Sequence, residues 1–205
     1  MGSNINEVIK KLNESKAYKE LFLKAFQDST FSTSKILKAL SQFQLTLVSA
    51  NAKYDRVKMG KEAFTEQEKN GYQIFKNNCA SCHSEPLFSN YNFENNGLPI
   101  DESLNDLGRF VITKNENDKG KFKTPSLRNL STTYPYMHDG RFMTIKEVIN
   151  HYTSGIERSA TLSPQLNESI ELSSNEKTDL ISFLLTLNDK DFVFNKKHQF
   201  KKISN

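Results

Sequence analysis

No stretch of this 205-residue chain approaches the ~20 consecutive apolar residues of a membrane span, and no apolar segment follows its first residues to act as a secretion signal. Charge of one sign does not dominate either. Twenty-eight Lys and Arg against 24 Asp and Glu leave a net +4, and no dense basic helix carries interleaved aromatics, which argues against nucleic acid as a partner. Lys190, Lys196, Lys197, Lys201 and Lys202 crowd the tail, residues 191–205 with Lys190 just before it, and read as a solvated end rather than a docking patch for an acidic partner. Internal repeats and low-complexity segments are absent. Tryptophan is absent and cysteine is scarce, with Cys79 and Cys82 alone, so no disulfide framework exists. What remains, 36% hydrophobic and 25% charged, is the composition of an ordinary soluble globular chain with one good-sized domain, or one domain and a helical appendage.

The pattern is mainly α. Ile5, Val8, Ile9, Leu12, Tyr18, Leu21, Leu23 and Phe26 fall at mostly helical spacing and predict one or two amphipathic helices over residues 5–27. Ile36, Leu37, Leu40, Phe43 and Leu47 predict a further helix with these residues on one face. Capping boxes at Thr65–Glu68, Thr144–Glu147 and Ser173–Glu176 mark three more helix starts, the first running into Cys79 and the second through "TIKEVINHYT". Gly71 predicts a close crossing of its helix with the last one, which offers Leu180, Phe183, Leu184 and Leu187. Residues 84–143 lack clear periodicity, and something other than secondary structure must organise so long a segment. Its one strand signal is "GRFVIT" at 108–113, expected to form a short hairpin with "GKFKT" at 120–124.

The chemistry concentrates in "NNCASCHSEPLF", where Cys79, Cys82 and His83 follow a helix end. Cysteines at i and i+3 can each take up one vinyl group of a haem as a thioether, and the next imidazole then reaches the iron; this is the c-type haem attachment signature. A zinc site wants four protein ligands, and His138, His151 and His198 supply no second close pair. A thioredoxin-like pair wants a βαβ setting, and a disulfide would leave His83 without a role. One covalent haem c is therefore expected, and a large apolar cofactor could serve as the core around which the irregular segment folds.

"GYQIFKNNCASCHSEPLFS", "DLGRFVIT", "GKFKTPSLRNLSTTYPYMHDGRFMTIKEVINHY" and "LISFLLTLND" together resemble the C-terminal haem domain of the bacterial di-haem cytochrome c peroxidase and MauG family, while "YKELFLKAF" and "ILKALSQFQLTLVSANAKYDR" resemble the end of its first domain. The resemblance implies a helical remnant over residues 1–64, a cytochrome c-type haem domain over 65–190 and a basic tail over 191–205. Family members carry an earlier CxxCH for the peroxide-reducing haem, which this chain lacks. With its Met-Gly-Ser start resembling a cloning remnant, the chain is expected to be a fragment of a di-haem protein, a natural single-haem relative being the alternative.

The resemblance also assigns roles. His83 is the implied proximal iron ligand; the distal ligand, a methionine in the peroxidases and a tyrosine in MauG-like members, falls on Tyr152, with Met143 as the competitor and water, His138 or His151 behind them. Pro125 and Leu127 are implied to wall the ring, and Arg128 to hold a haem propionate. Main-chain oxygens of Thr133 and Pro135 match positions that hold a calcium ion between the haems, though its remaining protein ligand would come from the missing segment. The implied function is electron transfer within a periplasmic oxidoreductase that reduces hydrogen peroxide with electrons from a donor protein or small redox donor. The alternatives are MauG-like oxidation of a protein substrate through high-valent haem, and a single-haem carrier without catalysis. Oligomeric state is not implied.

Overall fold

The computed structural model describes residues 2–199, so Lys201 and Lys202 of the basic tail lie outside the described residues. It divides into two compact units, one running from Ser49 to Val193 and the other formed by the described residues up to Val48 and from Phe194 onward. Among the described residues no helix is long and apolar enough to cross a membrane.

In the smaller unit the 5–27 pattern forms two helices, α1 (Ile5–Glu14) and α2 (Lys16–Phe26). Ser15 separates them because it serves both: its N–H closes onto Leu12 O, and its hydroxyl accepts from Tyr18 N. Helix α3 (Thr33–Thr46) starts at the Ser32 cap, with Lys35 paired to Asp28. The α3 stripe lies on a helix as its spacing predicts, yet most of it is open to solvent. Only Ile36 is buried, while Leu37, Leu40, Phe43 and Leu47 are exposed. Helical spacing fixes which residues share a stripe, and burial further needs a surface to pack against.

In the larger unit, α4 (Lys53–Lys58) precedes α5 (Glu66–Asn78), whose capping box closes with Thr65 N to Glu68 at 2.7 Å and Glu68 N to Thr65 at 3.2 Å. Helix α5 crosses the late helix, as Gly71 predicts. A Cβ at Gly71 would lie 1.9 Å from Asp179 O and 2.9 Å from Phe183 Cβ, so only glycine permits this approach. Tyr54, Phe75, Phe88, Phe183, Leu184 and Leu187 form the core around the crossing, with the Phe75 and Phe183 rings 5.1 Å apart.

The expected 108–124 hairpin is a correction. Strand β1 (Phe93–Glu94) pairs antiparallel with β2 (Phe122–Lys123), while residues Phe110–Thr113 wind into one helical turn, α6. Gly108, at φ +61° and with Lys121 O 2.4 Å from where its Cβ would be, permits a single bridge to Lys121 before the chain turns helical. The β-branched signal of "FVIT" is too short to override that local turn.

Residues 84–143 are organised by buried polar side chains. Ser89 Oγ donates to Thr124 O at 2.7 Å, and Asn95 Nδ2 donates to Ser159 and Thr161. Asn129 donates to Ser49 Oγ and accepts from Asp189 N at 2.7 Å. The Asn-rich composition that reads as loop thus supplies the internal partners a buried loop needs. Beyond it come α7 (Ile145–Asn150), α8 (Ser174–Leu185) and α9 (Lys190–Val193), with α7 and α8 opened by their predicted capping boxes.

Candidate haem site

Helix α5 delivers the CxxCH segment. Its last turn closes with Cys79 N on Phe75 O, and the chain then tightens so that Cys82 N and His83 N both donate to Cys79 O, at 3.2 and 2.9 Å. Both cysteines are free and half-buried. Burial pushes the Cys79 thiol up to about 12, with Cys82 adding to it; Cys82 is raised chiefly by burial. Neither sulfur is therefore a thiolate near neutral pH.

His83 is held by its back nitrogen. Nδ1 lies 3.1 Å from Phe88 O and 3.2 Å from Pro125 O. Carbonyls only accept, so Nδ1 carries the proton and Nε2 keeps its lone pair for a metal. Burial lowers the His83 pKa, which favours the neutral ligating form. Pro125 thus meets His83 through its carbonyl, and Leu127, half-buried beside the core, donates its N–H to the same Phe88 O.

The Thr144 box opens α7, but the helix does not continue in one register. From His151 to Gly155 it becomes a single π turn, a departure common at functional positions that the sequence pattern did not signal. This turn carries His151 and Tyr152. The Tyr152 pKa is raised by burial and, more weakly, by Cys79 and Cys82, while Asn96 lowers it, so the phenol lies within electrostatic reach of the cysteine pair. Asn96 Nδ2 is 3.4 Å from Tyr152 Oη and also 3.4 Å from Met137 Sδ. Asn96 and Met137 were both missed by the sequence reading, since an Asn in an Asn-rich loop and a Met before "HDG" carry no local signal.

The remaining candidates lie otherwise. Met143 is 58% exposed, its N–H donating to Glu147 as an extra member of the capping box. His138 is exposed and stacked on Phe122, with centroids 3.7 Å apart, and His151 is buried with Nε2 on Asn96 O at 3.0 Å. Arg128, expected to face a propionate, is instead engaged by protein. Nη1 and Nη2 hold Asp55 at 2.9 and 2.8 Å, and Nε and Nη2 reach Pro86 O, which uses most of the guanidinium's donors. Thr133 and Pro135 are exposed beside the turn Leu130–Thr132. Among the described residues no group of three or more His, Cys, Asp or Glu could hold a metal ion.

These residues fit a covalent haem c: two free cysteines at thioether spacing, an adjacent imidazole with Nε2 available, and a half-buried phenol on the π turn. A sequence model of cytochrome c matches residues 68–188, and one of di-haem cytochrome c peroxidase matches residues 1–63. The chain is 39% identical over 194 residues to the methylamine utilization protein MauG of Methylophilus methylotrophus, covering 91% of this chain and 56% of that protein. It is 34% identical to the cytochrome c551 peroxidase of Nitrosomonas europaea, covering 83% of this chain and 49% of that one. The chain thus spans about half the length of the curated relatives it matches. Among solved structures, a MauG-like protein associated with microbial copper homeostasis superposes with a TM-score of 0.81 at 30% identity, over 97% of this chain and 66% of the other. The diheme peroxidase BthA of Burkholderia thailandensis, at 16% identity and a TM-score of 0.71, shares the fold. With the cytochrome c match covering the CxxCH unit and the peroxidase match covering the helices before it, the chain belongs to the di-haem cytochrome c peroxidase and MauG family of haem c proteins, as a C-terminal haem domain preceded by the end of the first domain.

Proposed function

We propose that this chain is the electron-transfer haem portion of a di-haem cytochrome c peroxidase-like oxidoreductase, carrying one haem c per chain. The observation that carries the proposal is the fixed His83, whose Nδ1 is tied to Phe88 O and Pro125 O beside two free cysteines. Cys79 and Cys82 would hold the haem covalently, His83 would be the proximal ligand, and Tyr152 would take the sixth position in preference to the exposed Met143. Pro125 and Leu127 would flank the ring. Arg128 would act through the loop it fastens rather than on a propionate. Bound there, haem c supplies a one-electron iron couple; the protein holds the ligands in place and keeps water from them. Residues 1–64 would be the remnant of the first domain and 65–190 the haem domain.

In the complete protein this haem would pass electrons from a donor protein or small redox donor toward hydrogen peroxide, in the periplasm where family members work. Calcium at the Thr133 and Pro135 carbonyls would be completed by further oxygen ligands. A second reading, oxidation of a protein substrate as in MauG, is favoured by Tyr152, because an anionic oxygen ligand stabilises oxidised iron where a thioether would not.

Denaturing mass spectrometry of protein matured with the cytochrome c assembly machinery is expected to give the chain mass plus one haem, retained after acid–acetone extraction. Release of free haem by that treatment would sink the proposal.

A further inference from the structure

Asn96 sits where three separate parts of the site meet. Its side-chain amide nitrogen faces both Tyr152 Oη and Met137 Sδ at 3.4 Å, its side-chain oxygen accepts from Leu98 N at 3.3 Å, and its main-chain carbonyl accepts from His151 Nε2 at 3.0 Å. Every polar group of the residue except its own N–H therefore has a stated task. The amide has two hydrogens and two acceptors before it, one a hard oxygen and one a soft sulfur. The residue is anchored from behind by His151, which itself belongs to the same π turn as Tyr152. The turn and the loop are thus joined twice, once through main chain and once through side chain.

We infer that Asn96 is a positioning residue that holds the Tyr152 oxygen as the sixth-position donor while occupying the Met137 thioether as a hydrogen-bond acceptor. The inference rests on the Tyr152 reading above. A sheltered polar oxygen without a hydrogen-bond partner is costly, whereas one that accepts an amide N–H is held in a fixed direction. The same amide keeps a neighbouring soft donor, the Met137 thioether, engaged. Asn96 therefore favours oxygen over sulfur without touching the iron itself, and the choice bears on potential because a phenolate favours ferric iron and a thioether ferrous iron.

The test uses the full chain carrying its haem, read by ferric absorption and electron paramagnetic resonance and by reduction potential, with circular dichroism to confirm folding. Asn96→Leu removes the donor. Asn96→Asp keeps the shape and the acceptor for Leu98 N but offers no N–H and repels a phenolate, so it serves if the leucine variant does not fold. Both are expected to move the ferric spectrum toward that of Tyr152→Phe, and Asn96→Leu to raise the potential by about 59 mV or more, a tenfold loss of ferric preference. If Tyr152→Phe changes the spectrum and the Asn96 variants keep the parent one, Asn96 does not position the ligand and the inference falls alone. If Tyr152→Phe itself keeps the parent spectrum, the ligand reading fails and takes the inference with it. Loss of the parent ferric spectrum in Met137→Leu would assign the position to sulfur and overturn both.

Discussion

Burial moves the pKa values of Cys79 and Cys82 up and that of His83 down, and in each case the uncharged form gains. A site built for a metal macrocycle needs this neutrality, because an imidazolium has no lone pair to offer. His83→Ala is expected to retain the haem mass through the two thioethers while losing the parent ferric spectrum, which absorption and mass measurements on one sample would check. His151 gives a pH signature of its own. Its folded pKa lies below the ordinary 6.5, chiefly through burial, with Asn96 O and Gly155 backbone raising it and Arg141 lowering it. As pH falls through 6.5 the unfolded chain takes up a proton that the folded chain refuses, so stability declines with acidification. Urea midpoints at pH 7.5 and 5.5 should show this loss, and His151→Gln should reduce the difference. A second decline begins below about 4.5, where the capping Glu147 and Glu176, whose folded pKa values are depressed, start to protonate in the unfolded chain.

Helix α7 depends on few groups. Glu147 accepts from Met143 N, Thr144 N and Thr144 Oγ1, and Thr144 in return accepts from Glu147 N. Thr144→Ala is expected to cost about 1 kcal/mol, lowering the thermal midpoint by roughly 2–4 °C for a protein of this size. At the crossing of α5 and α8, Gly71→Ala drives a methyl into the Asp179 carbonyl and should cost about 3 kcal/mol, the upper end for an overpacked core, as chemical denaturation would measure. Both features were legible in the sequence because each is local or rests on a residue type with one use: a capping box spans four residues, and a helix glycine facing an apolar helix has little other purpose. The CxxCH segment was legible for the same reason. The β1–β2 pairing was not, since it joins Phe93 to Lys123 across an irregular loop, nor was the π turn at His151, whose residues read as plain helix. Nor was the bidentate pairing of Arg128 with Asp55, since the two lie 73 residues apart in sequence, beyond any local pattern.

Taken as a whole, the Ser49–Val193 unit offers one CxxCH and one proposed sixth ligand. With both axial positions filled, the isolated haem-loaded chain is expected to oxidise redox donors with peroxide at well under about 1 per second, below the common range for enzymes. A steady-state assay checks this, and faster turnover would place peroxide chemistry at this haem. The Arg128–Asp55 pair bears on how the protein can be cut. Asp55 lies in α4, ahead of the capping box that opens α5, and its side chain is as sheltered as the arginine's, at 10% and 11% exposure. The same stretch sends Tyr54 N to Thr186 O and Asn51 N to Asp189. A shortened version starting at Thr65 would leave the Arg128 guanidinium sheltered without its carboxylate, a loss of about 3–5 kcal/mol for a buried pair, and would open a hole where Tyr54 meets Phe88. The smallest piece that folds well should therefore start at Ser49, so a cloning boundary chosen from the start of the cytochrome c match would fall nineteen residues too late.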